Sequence, residues 1–264
     1  MRKPTLSPSK ITTFLACPVK YIWTYVNPKG RLYFRAKRHY SFGTSLHRVL
    51  EQFHDVDQTG VTTVEEAIAA VEENWIEAGY ESPQAMADAL GEGKELVERY
   101  VKQALSAERV GVTKFVEKAF RYDMGDFTLS GRIDRIDEFP DGSWEIIDYK
   151  TGRENVEPED VKHDIAMNCY QLMVQRAEPD REVRTSIVAV RSGRSAVGSL
   201  SPAELDEFEV VLRDLGRTIL ATEQADLSPH PKRLCHGCDF LPLCRTAHAQ
   251  LFPEDPEFVL PTVN

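Results

Sequence analysis

The chain has 264 residues, 42% hydrophobic and 28% charged, with a formal net charge of −10. That balance belongs to a soluble globular protein with a sizeable apolar interior, and it argues against a disordered chain. The acidic excess argues against a protein that coats nucleic acid without specificity, because neutralising phosphates takes clustered Lys and Arg.

At the N-terminus, apolar runs are broken by Lys10, Pro18 and Lys20, which reads as neither a signal peptide nor a membrane span and points to a cytoplasmic protein. Ser7-Pro8-Ser9 marks a helix start, with Ser7 or Ser9 as N-cap and Ile11, Phe14, Leu15 and Tyr21 at helical spacing. Cys17 falls on or at the end of that helix, just before Pro18. From Lys29 to Tyr40 the chain carries Lys29, Arg31, Arg35, Lys37 and Arg38, no acid, and the aromatics Tyr33, Phe34 and Tyr40. Such a segment can pair with DNA phosphates and stack on unpaired bases; a solvated basic loop is the equal alternative. Residues 41–54 read as a second helix that sets His47 and Glu51 one turn apart on one side. Amphipathic helices over 63–78 and 83–108 form a helical subdomain.

From Val112 the pattern turns to strands, over 112–124, 126–139 and 143–150, the last two joined by the turn signal Pro140-Asp141-Gly142. A helix over 159–177, strands over 183–191 and 195–200 and a helix over 203–221 follow, then a Pro-rich loop punctuated by cysteines. The order implies an α/β fold of the α+β kind, a central mixed β-sheet flanked by helices. We expect one domain over 1–264, with N-terminal helices in 1–60, the helical subdomain in 61–110, a core in 111–225 and a cysteine-rich segment in 226–264.

Chemistry concentrates in Gly131 to Gly152. Strand periodicity puts Asp148 and Lys150 on one face, and the short turn brings Asp134 opposite or diagonal to Asp148. Two converging carboxylates on rigid strands are what a magnesium or manganese ion requires, with open positions left for water and phosphate. The bland alternative is a set of exposed strand charges forming a weak surface salt bridge.

The five cysteines are Cys17, Cys169, Cys235, Cys238 and Cys244, an odd count that disfavours a disulfide framework without an export signal. Cys235, Cys238 and Cys244 lie within one short loop, and Cys17 would supply a fourth thiolate for zinc or an iron-sulfur cluster; spacing does not separate the two. Cys169, in mid-helix, reads as a core residue.

The Gly43-Thr44-Ser45-Leu46-His47 helix segment, the Gly131-x-Ile133-Asp134-Arg135-Ile136-Asp137 strand, Ile146-Ile147-Asp148-Tyr149-Lys150-Thr151-Gly152, a helix bearing Gln171-Leu172, and the Ser9-x-Ile11-x2-Phe14-x2-Cys17-Pro18 opening together resemble the RecB-like branch of the PD-(D/E)xK nuclease superfamily. The likeness is to its iron-sulfur type, which includes the AddB nuclease domain and the CRISPR adaptation nuclease. It implies a restriction-endonuclease-like core and a metal-dependent phosphodiesterase. Asp134 and Asp148 would then be metal-binding carboxylates, His47 and the Tyr149 carbonyl further ligands, Lys150 the catalytic lysine, and Gln171 a residue beside the active site. Family members usually carry a tyrosine four positions after that glutamine; here the place is Gln175, and helical geometry turns Tyr170 about 100° away from Gln171. The resemblance makes Cys17, Cys235, Cys238 and Cys244 ligands of a 4Fe-4S cluster with an architectural role, zinc being the alternative.

The function implied is exonuclease action on DNA ends or single strands in repair, recombination or CRISPR adaptation. The sequence has no Walker-type loop, so a helicase or CRISPR adaptation proteins are the expected partners. Two other readings are a DNA-end binding or assembly subunit of weak activity, and a four-cysteine zinc protein with an unrelated hydrolase site.

Overall fold

The structure, a computed structural model, describes residues 3–55, 60–108, 110–247 and 249–251. In chain order they form β1 (Thr5–Leu6), α1 (Pro8–Ala16), α2 (Pro18–Tyr21), a π-helical turn (Ile22–Val26), a 3-10 helix (Pro28–Tyr33), α3 (Arg38–His54), α4 (Val64–Glu73) and α5 (Pro83–Ser106). Then come β2 (Val112–Asp123), β3 (Thr128–Glu138), β4 (Trp144–Lys150), α6 (Pro158–Lys162), α7 (Ile165–Ala177), β5 (Val183–Ala189), β6 (Arg194–Val197), α8 (Pro202–Ala221) and α9 (Leu241–Ala247), with short 3-10 turns around α9. The chain divides into two compact units, Met1–Thr5 with Ala36–Leu212, and Leu6–Arg35 with Arg213–Asn264.

The first unit is built on a mixed sheet in which β3, β4, β5 and β6 follow one another and β2 also pairs with β3. The β2–β3, β3–β4 and β5–β6 ladders are antiparallel and β4–β5 is parallel. A parallel pair needs a crossover, and α6 and α7 supply it. Period-two alternation sends β4 side chains to two cores. Ile147 and Tyr149 pack with Leu46, Val49 and Leu50 of α3 and with the apolar faces of α4 and α5. Trp144 and Ile146 pack with Val161 of α6, Met167 and Val174 of α7, and Ile187 of β5. Asp148 and Lys150 therefore share the α7-facing side of β4 and stand at its end.

Two sequence expectations shift. The helix expected over 159–177 is interrupted at His163–Asp164, because the Asp164 carboxylate accepts from the N–H groups of Ala166 and Met167 and so restarts the helix. The C-terminal segment expected as loop contains α9 and a 3-10 turn, Arg233–Gly237.

In the second unit Ser7 is the N-cap of α1, its Oγ accepting from Lys10 N at 3.3 Å. Phe14 meets Tyr21 edge-on at 5.5 Å, and Phe34 meets the buried Phe240 likewise. Gly30 is required where it stands, since a Cβ there would lie 1.8 Å from the Trp23 carbonyl oxygen. Asn27 Nδ2 donates to Gln224 Oε1 at 2.7 Å, and Lys232 donates to the Ala16 carbonyl. Among the described residues no helix is long and apolar enough to cross a membrane.

Candidate active site

Antiparallel register decides where the acidic groups of the first unit meet. Arg135 pairs with Ile147, so one step further along the ladder Asp134 falls opposite Asp148. Asp134 Oδ2 accepts from the Tyr149 backbone N–H at 2.9 Å, which fixes the carboxylate against the end of β4. Helix α3 is anchored by Phe42, Leu46, Val49 and Leu50, and this docking turns His47 onto the same spot. Gly43 lets the helix approach, because a Cβ there would already lie 3.1 Å from Thr151 Oγ1.

His47 Nε2 lies 2.9 Å from the Tyr149 carbonyl oxygen. A carbonyl only accepts, so Nε2 holds the proton. In the neutral ring the Nδ1 lone pair then faces Asp134 Oδ2 at 3.4 Å, an arrangement that calls for a proton or a cation between them. Burial pulls the His47 pKa down, but the hydrogen bond and charge of Asp134, the charge of Asp148 and the Tyr149 carbonyl together raise it.

Asp148 is buried, and its Oδ2 lies 2.8 Å from Lys150 Nζ while making no aligned hydrogen bond. The two facts describe an ion contact that leaves the oxygen's lone pairs poorly satisfied. Burial raises the Asp148 pKa, Lys150 opposes this, and Asp134 adds to it. Lys150 is raised too: burial lowers it, but Asp148, Asp164 and Asp134 outweigh that. Burial carries the rise of Asp148, and the surrounding carboxylates carry that of Lys150.

Glu117 joins this group although sequence reasoning passed over it. His47, Glu117 and Asp134 each offer a donor atom, all within 4.8 Å of one another. Burial first, then the charges of Asp134 and Glu51, push the Glu117 carboxyl above its usual range. The β2–β3 register, closed by Asp123 with Thr128 at the hairpin turn, brings Glu117 level with Asp134, between the pairs Val116 with Arg135 and Lys118 with Ile133.

Donors of this kind fit a divalent cation: carboxylate oxygens and an imidazole held on rigid elements, with an unsatisfied buried Asp148 oxygen among them. Asp134, Asp148, His47 and the Tyr149 carbonyl are the groups that would hold it.

On α7 the structure separates two neighbours. Gln171 donates from Nε2 to the Leu200 carbonyl at 2.8 Å and accepts at Oε1 from Leu200 N at 3.0 Å, so its amide ties down the chain before α8. With Gln175 it lines a cavity of about 650 Å³ alongside Arg176, Arg181 and Ser199. Gln175 itself donates to the Arg181 carbonyl at 2.8 Å. Tyr170 instead feels the acidic groups of the site: burial and the charges of Asp148 and Asp134 raise its phenol well above normal. Its ring edge would lie 2.8 Å from a Cβ on Gly131.

In the second unit Cys17, Cys235, Cys238 and Cys244 line one cavity. Burial and then the neighbouring thiols push Cys244 up to about 12, and burial with Cys17 and Cys235 nearby raises Cys238. Cys169 is buried in α7 of the first unit. The basic segment is divided: Lys29, Arg31 and Arg35 are exposed in the second unit, whereas Lys37 and the exposed Arg38 open α3 in the first.

The PD-(D/E)XK nuclease superfamily matches residues 5–245. Among solved structures, the crystal structure of SSO0001 aligns with 93% of this chain and 88% of that one, at 11% identity and a TM-score of 0.36. No curated protein matches.

Proposed function

Because the chain belongs to the PD-(D/E)XK nuclease superfamily, we propose that it is a magnesium- or manganese-dependent DNA phosphodiesterase of the RecB-like, iron-sulfur branch, an exonuclease acting on DNA ends or single strands. The observation that carries this reading is the convergence of Asp134, Asp148, Lys150, His47 and the Tyr149 carbonyl at the end of one strand. A bound divalent cation supplies Lewis acidity at the scissile phosphate. Asp134 and Asp148 would hold it as hard oxygen donors, with His47 Nδ1 and the Tyr149 carbonyl beside them. Lys150 stays protonated, since the acids around it raise its pKa. Its fixed ammonium meets the charge that develops on a phosphate oxygen, in a pocket where water screens it little. Gln171 acts at one remove by holding the Leu200 segment.

Four thiols around one cavity support a 4Fe-4S cluster held by Cys17, Cys235, Cys238 and Cys244, since four soft sulfur donors converging on one space are what such a centre takes. Lys29, Arg31, Arg35, Lys37 and Arg38 are the side chains that would track the DNA backbone. Repair, recombination or CRISPR adaptation, with a helicase or CRISPR adaptation partner, is the setting this chemistry suits. Incubation of anaerobically purified protein with manganese and end-labelled single-stranded or blocked-end DNA tests the reading. Wild type should degrade DNA and Lys150→Ala should bind without cutting. Equal inertness with retained binding would make the protein a DNA-end binding subunit instead, a role that Gln175 in the usual tyrosine place would suit.

A further inference from the structure

Glu117 is the one non-glycine residue with positive φ among the described residues, at +47°. An L-residue in that region costs on the order of 1 kcal/mol and is retained where something else fixes it. The position is in the middle of β2, between the pairs Val116 with Arg135 and Lys118 with Ile133, where a regular ladder would continue through Glu117 and Asp134. The left-handed kink breaks that pairing and delivers the carboxylate to the His47–Asp134 side of the site.

Its surroundings do not account for a purely structural role. Arg132 is a partner at 3.3 Å, but that guanidinium is mostly exposed, and an exposed pair stabilises little. Asp134 and Glu51 act on Glu117 as like charges. A carboxylate turned toward two others and an imidazole, at the expense of a ladder pair, gains most when a cation sits among them.

We infer that Glu117 is a further ligand of the divalent cation, closing the His47–Asp134 flank and holding the ion before DNA arrives; the inference rests on the metal-dependent reading of the site. It goes beyond the carboxylate pair and the histidine that the sequence pattern marks. The consequence is selective: removing the charge at 117 should weaken the ion's hold on the free protein while the fold stays intact.

Calorimetric titration of the full-length protein with manganese chloride, without DNA, tests this. Glu117→Gln should weaken manganese binding by about tenfold or more, Glu117→Asp should recover part of the loss, and the melting temperature in EDTA should not fall. Arg132→Gln should bind manganese at least as tightly as wild type, since it frees the carboxylate. The inference is overturned if Glu117→Gln titrates like wild type while Asp134→Asn does not bind, or if Arg132→Gln loses as much affinity as Glu117→Gln. Should wild type itself bind no manganese, or Asp134→Asn bind as well as wild type, the metal-dependent reading falls first and the inference with it.

Discussion

Asp134, Asp148 and Lys150 stand on β3 and β4, whose ladder and flanking cores hold them in place before any ligand arrives. Cys235 and Cys238 stand on and beside a five-residue 3-10 turn, and Cys244 on a seven-residue helix, elements too short to be stable alone. The oxygen-donor site inherits its geometry from backbone hydrogen bonding, so emptying it should change chemistry and leave the fold. The four thiols lie in a segment with little regular structure, so the cluster proposed there would itself hold that segment together.

The largest expected effect falls on activity in the first unit. Lys150→Ala and Asp148→Asn should each lower manganese-dependent DNA cleavage by about 10³-fold or more, measured on end-labelled DNA, with melting in EDTA close to wild type. If either variant melts as early as a cysteine variant, the contrast between the sites is lost. Next in size, Cys235→Ser with Cys238→Ser should remove the visible absorption of the proposed cluster and expose the second unit to limited proteolysis, a loss on the order of several kcal/mol. Protection of the first unit against hydrogen exchange should persist.

A smaller effect separates Gln171 from the acids. Gln171→Ala should cost about 1–3 kcal/mol in urea unfolding, because the Leu200 N–H and carbonyl both lose their partner, while manganese affinity stays at the wild-type value. The smallest comes from Ser82, whose Oγ accepts from Ala85 N at 3.1 Å to cap α5. Ser82→Ala should cost about 1 kcal/mol in the same unfolding assay and leave cleavage unchanged.

The sheet and its central acids were legible because strand periodicity and a short turn are local. Pro140-Asp141-Gly142 sets the β3–β4 register, Gly142 taking φ +83°, and the register alone puts Asp134 across from Asp148. Glu117 was not legible, since nothing in Phe-Val-Glu-Lys announces a left-handed backbone at a residue that is not glycine. Nor was the choice between Tyr170 and Gln171. Helix α7 buries Met167, Asn168, Cys169, Gln171, Leu172, Met173 and Val174, nearly all round, so no apolar stripe in the sequence says which side faces the acids. The break at Asp164 also resets the phase that a continuous helix would have had.

Crystals grown with manganese and measured at its absorption edge test most directly whether Asp134 and Asp148 meet around a divalent cation. An anomalous peak bounded by the Asp134 and Asp148 carboxylates, His47 and the Tyr149 carbonyl is the predicted result. Manganese bound elsewhere, with Asp148 still seated on Lys150 and no density between the two acids, would contradict it.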